Sequence, residues 1–587
     1  MSADSPLLDL NQPVGGEFGI TAELPTLELI HRFREGQFPL NYGYYRHVDH
    51  PKLKGAQDTL AAHCGVPHAR LFCSAHAALY ELLRLLAHER KGRRVVVLHS
   101  GELAPEWHER LALVQAECVF LRLDAEPLPD PTEWSRHDLL LLLHQGGTPE
   151  TLPLSEVGRG TLLVCSDALP PSLENHPHVK YWTAPVSNAQ GEEIGGVVLG
   201  KVDRVMSELH ELRKQRGAIL STRLADQADP GHPNSNTAGP ASASAAAVSS
   251  KLCRVFSEMD SADDALLYPS GMAAITMVLD ALRTIEQPKM IMIGTLYTDT
   301  YGLLRNSVLD GQTLDWEWVG VGDLERLEQA MDERTALVFT ETITNPLGDV
   351  SDLRAVSELT RRHGVPFVVD NTLATPFNSQ PLECGADLVV YSTAKHFSGN
   401  NAHRGGVTLF REGGLANTLR RQQRLLDLEL CDPEAATLLE CLADFPERME
   451  RFNANGLRMA EFLRQHPAVQ DVYFPGLADH PSHAVSQRLL QGTGSVVSWT
   501  LRHDHPDSFR AVYDGAWGPI RKAPTLGSNT TLLCPYALVA HYHATDEELL
   551  DLGFPRTLLR IAVGCEPQLD EVLAGLDASL NRAFPPA

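Results

Sequence analysis

The sequence predicts an α/β protein in which mostly parallel sheets are covered by flanking helices. Short runs rich in Val, Ile and Leu alternate with amphipathic stretches such as residues 323–331 and 353–362, a pattern typical of strand-helix units around a parallel sheet. Asp323 and Asp352 stand where a side chain can cap the first turn of a helix. Because 587 residues exceed what one hydrophobic core usually serves, two or three domains are expected.

The chain contains two similar stretches. Residues 72–78 match residues 268–274, and each segment leads into a leucine-rich helical pattern. Later landmarks keep the same order: the strand ending at Asp167 is matched with the one ending at Asp370. Counting back ten residues from a Gly-Gly pair in each stretch matches Pro185 with Lys395. The first stretch is therefore predicted to be a degenerate copy of the second.

These landmarks divide the chain into four predicted segments. They are a degenerate, non-catalytic copy of a large domain over residues 1–220, a linker over 221–250, a catalytic large domain over 251–430 and a small α+β domain over 431–587. The linker prediction depends on the Pro, Gly, Ala and Ser content of residues 226–250. The last segment is expected to hold strands near 469–474, 496–501 and 559–563.

Composition excludes several classes of partner. Lys+Arg 50 against Asp+Glu 75 gives a net charge of −25, which disfavours binding to nucleic acid and to anionic membranes. The 10 cysteines are scattered without a C-x-x-C pair, so free thiols in a reducing compartment are expected. No apolar run has the length of a membrane span, and the histidines lack metal-ligand spacing. We therefore predict a cytoplasmic protein without a metal site or membrane partner.

Two residues that follow apolar strands indicate the chemistry. Lys395 ends the segment 387–395, in which a buried strand runs into a polar loop, and an amine there can form an imine with an aldehyde. Asp370 ends an earlier apolar strand and is a carboxylate that could keep a pyridine nitrogen protonated. Together they suggest pyridoxal phosphate (PLP), although either residue alone is more often only solvated or structural.

Further candidates also follow strands, where ligands of parallel sheets bind. Ser270, Gly271 and Met272 open a helix whose N-terminus could hold a phosphate, and Ser392 offers a second hydroxyl. Tyr297 could stack on a pyridine ring, and Asn345 could bond its phenolic oxygen. The alternative interpretations are a common helix cap, a solvated serine, a core tyrosine and a turn. A dinucleotide site at Gly320-Val321-Gly322 is disfavoured because the third glycine is missing.

The set of motifs resembles the Cys/Met-metabolism family of PLP enzymes, the cystathionine γ-synthase-like group of fold type I. The resemblance covers about residue 264 to the C-terminus, and the two-stretch layout is most similar to the long fungal-type cystathionine γ-synthases. In chain order, the matching motifs are Ser270 to Met272, Tyr297, Glu341 to Pro346, Asp370, Ser392 to Lys395, and Leu558 to Gly564.

The resemblance implies roles for individual residues. Arg560 would bind the substrate α-carboxylate, and Thr525 lies in the motif that precedes it. Tyr297 and Lys395 would move protons during catalysis. Ala394 departs from the family, which usually has Ser or Thr immediately before the lysine, and we expect the neighbouring Thr393 to substitute for the missing phosphate hydroxyl.

Family members also take a Tyr-x-Arg arm from a neighbouring subunit to hold the cofactor phosphate. Here the triplet precedes the degenerate copy, as Tyr44 to Arg46, and Ser221-Thr222-Arg223 stands before the catalytic one. We therefore predict that Tyr44 and Arg46 reach the catalytic site from within the same chain, with a solvated arginine as the alternative. The resemblance suggests a homodimer of such pseudo-dimeric chains.

The predicted reaction is γ-replacement on an O-activated homoserine by cysteine, which forms cystathionine in trans-sulfuration and methionine biosynthesis. The alternatives are a γ-lyase or an O-acylhomoserine sulfhydrylase of the same family. A third alternative, from a different class, is a non-catalytic PLP-binding regulator, which the degenerate copy and Ala394 suggest. The predicted partners are small-molecule amino-acid substrates.

Overall fold

The architecture is taken from a computed structural model of the chain. It describes residues 51–88, 94–122, 138–144, 161–167, 179–188, 190, 192–225, 243–252, 265–282, 285, 288–306, 314–400, 403–411, 413–502, 506–515, 519–541, 545–555 and 557–584. We call residues 51–225 the N-terminal unit and residues 243–584 the C-terminal unit. Tyr44 and Arg46 lie outside the described residues, so their predicted role stays a hypothesis.

The N-terminal unit is built on one seven-stranded sheet. Its strands are β1 His68–Phe72, β2 Val95–His99, β3 Cys118–Arg122, β4 Leu139–His144, β5 Thr161–Ser166, β6 Val179–Ser187 and β7 Glu193–Gly200. Its helices are α1 Pro51–His63, α2 Ala75–His88, α3 Pro105–Ala112, α4 Asp203–Arg216 and α5 Thr222–Ala225. The strand order is β1-β7-β6-β5-β4-β2-β3, and only β7 pairs antiparallel with its neighbours.

The C-terminal unit begins with a second seven-stranded sheet. The strands are β8 Ala265–Tyr268, β9 Lys289–Ile293, β10 Asp315–Val319, β11 Thr335–Glu341, β12 Phe367–Asp370, β13 Leu388–Ser392 and β14 Gly406–Phe410. The helices up to this sheet's end are α6 Ala243–Lys251, α7 Gly271–Leu282, α8 Thr298–Asn306, α9 Leu324–Ala330, α10 Leu353–His363, α11 Thr375–Asn378 and α12 Gly414–Leu426. Asp323 and Asp352 cap α9 and α10 as predicted.

The two large sheets have the same topology. Read from β8, the second sheet runs β8-β14-β13-β12-β11-β9-β10, which repeats the order of the first strand by strand, and β14 is again the antiparallel member. The inner strands are largely apolar because both faces of each sheet are covered, whereas the edge strands β3 and β10 are partly exposed. The mostly parallel α/β class is thus confirmed, and the shared topology supports our proposal that the chain contains an internal duplication.

Strand pairing corrects two of the predicted equivalences between the copies. Pro185 pairs with Gly196, whereas Ser392 pairs with the corresponding Gly406, so Pro185 takes the place of Ser392 and not of Lys395. The connection between β6 and β7 is shorter than that between β13 and β14, which is why counting back from the glycines misaligned the two stretches. By the same pairing, Cys165 and not Asp167 takes the place of Asp370.

A smaller sheet completes the C-terminal unit. Its order is β15-β16-β19-β18-β17, from strands β15 Val469–Tyr473, β16 Val496–Leu501, β17 Arg521–Lys522, β18 Leu532–Pro535 and β19 Leu559–Ala562. The helices of this region are α13 Asp432–Cys441, α14 Phe445–Gln465, α15 His483–Leu489, α16 Pro506–Gly515, α17 Tyr536–Ala540, α18 Asp546–Asp551 and α19 Leu569–Ala583. The three strands expected here are present.

The predicted linker contains helical structure at both ends. Ala243–Lys251 forms α6, which packs against α13, and Lys251 Nζ donates to the carbonyl of Leu442 at 2.9 Å. Its alanine-rich sequence has high helix propensity, and Val248 is fully buried. No helix among the described residues combines the length and the apolar character needed to cross a membrane. The nine described cysteines are free thiols, as predicted.

Candidate active site

The predicted site residues converge on one cavity at the carboxyl ends of the C-terminal unit's large sheet. Ser270, Gly271, Met272, Tyr297, Asn345, Asp370, Ser392, Lys395 and Arg560 all line it. They come from the ends of β8, β9, β11, β12 and β13 and from β19 of the small sheet. Thr525 lies at its edge between two lining residues, Pro524 and Leu526. Strand ends meet at one edge of a parallel sheet, which is why separate motifs assemble here.

One end of the cavity is shaped for an anion. Ser270 caps α7, because its Oγ accepts a hydrogen bond from the amide of Ala273 at 3.0 Å. A side chain at Gly271 would place its Cβ 2.8 Å from Cβ of Ser392, and one at Gly406 would approach the Ser270 carbonyl to 2.3 Å. The glycines therefore let the strand ends close around the helix N-terminus, whose amide groups and dipole favour a phosphate.

We call the anion-binding end of the cavity, formed by Ser270, Gly271, Ser392 and Gly406, the phosphate cup. Thr393 does not line it. It is fully buried, and its Oγ1 lies 2.8 Å from Nε2 of His403, whose Nδ1 is 3.1 Å from Glu434. The burial of this hydroxyl against His403 points it away from the cavity, which Ala394 lines instead. The expectation that Thr393 replaces the missing phosphate hydroxyl is therefore wrong.

Lys395 carries an amine suited to act as a nucleophile. Its Nζ donates a hydrogen bond to Oγ1 of Thr525 at 3.0 Å. Burial, assisted by the nearby positive charge of Arg560, lowers the pKa of Lys395 well below its usual value. Both causes favour the neutral amine, which is the form that acts as a nucleophile. Gly527 packs against the lysine's own backbone at φ +73, where a side chain would meet the His396 amide at 2.4 Å.

Two buried carboxyl groups face the middle of the cavity. Asp370 accepts a hydrogen bond from the amide of Thr372 at 2.9 Å, and burial raises the pKa of Asp370 to about 6. Burial and the neighbouring Asp370 also raise the pKa of Glu341, whose Oε2 has no hydrogen-bond partner among the described residues. A cationic ring nitrogen placed beside Asp370 would relieve this destabilisation, since an opposite charge favours the ionised carboxylate.

Arg560 lines the cavity beside Asn345 and the segment around Thr525. One of its nitrogens donates to Oδ1 of Asn345 at 3.1 Å, and another donates to the carbonyls of Pro524 at 2.5 Å and Thr525 at 3.1 Å. Its guanidinium also lies 5.0 Å above the ring of Tyr536. The Nε is buried and has no partner in the described part of the chain. A buried, oriented cation of this kind suits a substrate carboxylate.

Tyr297 is held at the cavity by two hydrogen bonds. Its amide donates to Oε1 of Glu341 at 2.6 Å, and its hydroxyl donates to Oδ2 of Asp299 at 3.0 Å. Asp299 itself lines the cavity, although the sequence motif alone did not single it out. The tyrosine hydroxyl therefore has a proton acceptor within reach.

The N-terminal unit contributes part of the wall, which sequence reasoning missed. Gly217 and Ile219, just after α4, line the cavity together with Arg404. Arg404 is buried and donates to the carbonyls of Gly217 at 2.8 Å, Ile219 at 3.0 Å and Leu220 at 3.3 Å. The only sequence signal was Gly217 itself, which ends a helical pattern and adopts φ +74 at the helix C-terminus.

Comparison with known proteins agrees with this geometry. Residues 242–581 match the family model described as Cys/Met metabolism PLP-dependent enzyme. This match spans more than half of the chain. The chain belongs to that family. Its cofactor is accordingly pyridoxal 5′-phosphate, as the sequence predicted, and the chain is assigned as an enzyme, which disfavours the non-catalytic regulator.

Individual relatives of the Cys/Met-metabolism enzymes carry different names. The cystathionine gamma-synthase of Mycobacterium leprae is 32% identical over 318 residues, 54% of this chain and 79% of the relative. The cystathionine gamma-lyase of Bacillus subtilis is 30% identical over 314 residues, 53% and 81% of the two chains. Among solved structures, cystathionine gamma synthase from Xanthomonas oryzae pv. oryzae in complex with aminoacrylate and cysteine has a TM-score of 0.53 at 28% identity, covering 59% and 90%.

The residues present fit the family's cofactor. The glycine-lined cup at the N-terminus of α7 suits its phosphate, the uncompensated carboxyl of Asp370 suits its ring nitrogen, and the buried amine of Lys395 suits its aldehyde. When bound, the cofactor would supply an aldehyde carbon and a cationic ring that accepts electron density. The assignment of Ser270, Gly271, Met272, Ser392, Tyr297 and Asn345 to its contacts stays a proposal.

Proposed function

We propose that the chain catalyses γ-replacement on an O-activated homoserine, with cysteine as the incoming nucleophile and cystathionine as the product. In this reaction the Cγ–O bond of the ester breaks, a Cγ–S bond forms, and a carboxylic acid leaves. The observation that carries an α-amino-acid substrate is the placement of Arg560 beside Lys395, with Thr525 hydrogen-bonded to both side chains.

Each residue has a defined role in this proposal. Arg560 binds the α-carboxylate, so that the substrate's Cα lies near the amine of Lys395. Because its pKa is low, the Lys395 amine can accept a proton from Cα and return it later. The hydroxyl of Tyr297 passes its own proton to Asp299, to which it donates a hydrogen bond at 3.0 Å, as it takes a proton from the incoming substrate amine.

Elimination is the second candidate. The cystathionine gamma-lyases of Bacillus subtilis and of Lactobacillus plantarum, the latter crystallised with L-serine, support it to a similar degree as the synthases support replacement. The sulfhydrylase alternative differs from the synthase only in using sulfide. Each of these reactions needs Arg560 to bind the α-carboxylate and Lys395 to move protons. Which reaction the enzyme catalyses therefore depends on the second substrate.

An assay of purified holoenzyme separates these candidates. The protein is incubated with O-succinylhomoserine or O-acetylhomoserine, alone, with cysteine or with sulfide. Cystathionine formed only when cysteine is present supports replacement, whereas 2-oxobutyrate formed without a nucleophile supports elimination, and homocysteine formed with sulfide supports the sulfhydrylase. If none of these products appears while cofactor is bound, the proposal is wrong. We also propose a homodimer of these chains, which light scattering can test.

A further inference from the structure

The N-terminal and C-terminal units contact each other reciprocally. Ser270, at the start of α7, donates a hydrogen bond to the carbonyl of Gly217 at the end of α4, at 3.0 Å. In the equivalent contact from the other unit, Ser74 at the start of α2 donates to the carbonyl of Leu426 at the end of α12, at 2.6 Å. Each serine also caps its own helix. The two units therefore pack about a pseudo-twofold axis, like the subunits of a symmetric dimer.

Two equivalent positions meet close to that axis, and they carry opposite charges. Arg84 on α2 and Asp280 on α7 are 196 residues apart, which is also the separation of Ser74 from Ser270. Arg84 donates to Oδ1 of Asp280 at 2.9 Å, and both side chains are only 3% exposed. A truly symmetric pair would place two identical side chains at this point.

The N-terminal unit surrounds Asp280 with further partners. Arg216, the last residue of α4, approaches Oδ2 of Asp280 to 2.5 Å and pairs with Glu81 at 2.6 Å. The hydroxyl of Tyr80 also donates to Asp280 at 3.0 Å. Among the described residues, two guanidinium groups thus face two carboxylates in a buried cluster, in which Asp280 is the member from the C-terminal unit. This balance matters because an uncompensated buried charge is strongly unfavourable.

A pair of C-terminal units in the same arrangement would lack this balance. Two Asp280 carboxylates would then face each other at the axis, and Leu425 would stand in the place of Arg216, because Leu426 matches Gly217 through its contact with the capping serine. Like charges brought together in a buried contact disfavour the wrong partner. The face of the C-terminal unit that contains α7 therefore matches the N-terminal unit and rejects a second copy of itself.

The same cluster is connected to the cofactor cavity. Arg216 directly precedes Gly217, whose carbonyl accepts hydrogen bonds from both Ser270 and Arg404, and Gly217 lines the cavity. We propose that Asp280 selects the N-terminal unit, in place of a second C-terminal unit, as the partner of the catalytic sheet, and that this pairing holds the Gly217 wall of the cofactor cavity in position. None of the four charged residues touches the cavity directly.

The full-length chain provides the test. Arg84→Asp recreates at the axis the two facing carboxylates that a pair of C-terminal units would have. We expect PLP affinity, measured from the absorbance of apoprotein titrated with the cofactor, to fall about tenfold or more. The reversed pair in Arg84→Asp/Asp280→Arg is expected to regain part of that loss. Unchanged affinity in Arg84→Asp, within about twofold of the wild type, would overturn the proposal.

A matched control separates this effect from general destabilisation. Arg94 and Asp138 form a 2.8 Å pair within the N-terminal unit, away from the axis. Arg94→Asp should lower the unfolding temperature without changing PLP affinity; if it weakens binding as much as Arg84→Asp does, the selective role is refuted. If Arg84→Asp does not fold, Asp280→Asn removes the charge while keeping the shape, and it should weaken PLP binding about threefold. Wild-type affinity in that variant would equally contradict the proposal.

Discussion

The amine of Lys395 lies 3.0 Å from the hydroxyl of Thr525, and this contact joins the large sheet to the small one across the cavity. Thr525 also presents its carbonyl to Arg560 at 3.1 Å. The residue proposed to hold the cofactor and the residue proposed to bind the substrate carboxylate are therefore positioned by the same short segment. Small shifts of this segment should change both functions together, because a displacement of about 1 Å at a reacting group can slow catalysis about a hundredfold.

Replacing the lysine tests the covalent attachment. In Lys395→Ala the cofactor can bind only noncovalently, so borohydride reduction followed by peptide mapping should find no labelled peptide from residues 388–404. Activity should fall by about a thousandfold or more, because the acid-base group is also lost. Lys289→Ala is the control. Lys289 is the first residue of β9, at the end of the strand away from the cavity, and pairs with Asp332 at 2.9 Å. A label that remains in Lys395→Ala would show that another amine is used.

The hydroxyl of Thr525 should matter modestly. Thr525→Val keeps the shape of the side chain and removes the hydrogen-bond acceptor of the Lys395 amine. A lost hydrogen bond of this kind corresponds to about 1 kcal/mol, so kcat should fall about fivefold. Thr525→Ser retains the hydroxyl and should behave like the wild type. Equal losses in both variants would show that packing of the threonine methyl group is what matters.

Arg560 should control substrate binding. Arg560→Met removes the cation and is expected to lower kcat/KM about 10-fold to 150-fold, from the loss of about 1.5 to 3 kcal/mol of charge-assisted hydrogen bonding. PLP affinity should change little, because the guanidinium contacts Asn345, Pro524 and Thr525 and none of the residues proposed to hold the phosphate. Arg458→Met, at an exposed pair with Asp570, is the control. Unaltered kcat/KM in Arg560→Met would move the carboxylate site elsewhere.

Asp370 should link stability to pH in the apoprotein. Burial raises its pKa from 3.8 to about 6, so the folded state holds a proton more tightly than the unfolded state does. This contribution to stability is present below pH 3.8 and is lost as the pH rises to about 6, a change of about 3 kcal/mol. The Asp370→Asn variant should not lose stability as the pH rises, so its apoprotein should resist urea better than the wild type at pH 7. The same variant should bind PLP more weakly. Urea unfolding across pH 4 to 7 checks the first expectation and cofactor titration the second.

Tyr297 and Asp299 should act as a pair. Asp299→Asn keeps a hydrogen-bond acceptor for the tyrosine hydroxyl but removes the negative charge. Without that charge the tyrosine proton has a weaker acceptor, so we expect kcat/KM to fall about tenfold or less. Tyr297→Phe removes the hydroxyl through which Asp299 acts, so the double variant should match Tyr297→Phe alone. Additive losses in the double variant would show that the two side chains act independently.

The sequence predicted the cavity well where a residue's position follows from its strand. Asp370 is the last residue of its strand, Lys395 and Asn345 lie within about one turn after theirs, and the carboxyl ends of parallel strands necessarily meet. It failed where position depends on loop conformation or on long-range packing. The side-chain direction of Thr393 is decided by His403, ten residues later, and the insertion of Gly217 and Ile219 depends on how the two units pack. No local pattern contains that information.

The wall formed by Gly217 and Ile219 has a consequence for genetics. A unit in which Pro185 and Cys165 stand at the positions of Ser392 and Asp370 would ordinarily be expected to accumulate substitutions freely. Residues of this N-terminal unit nevertheless border the cavity of the C-terminal unit, and Arg404 donates hydrogen bonds to three of its backbone carbonyl groups. Missense alleles near residue 217 should therefore appear in a complementation screen as loss of enzyme activity, alongside alleles of Lys395, the lysine proposed to be catalytic.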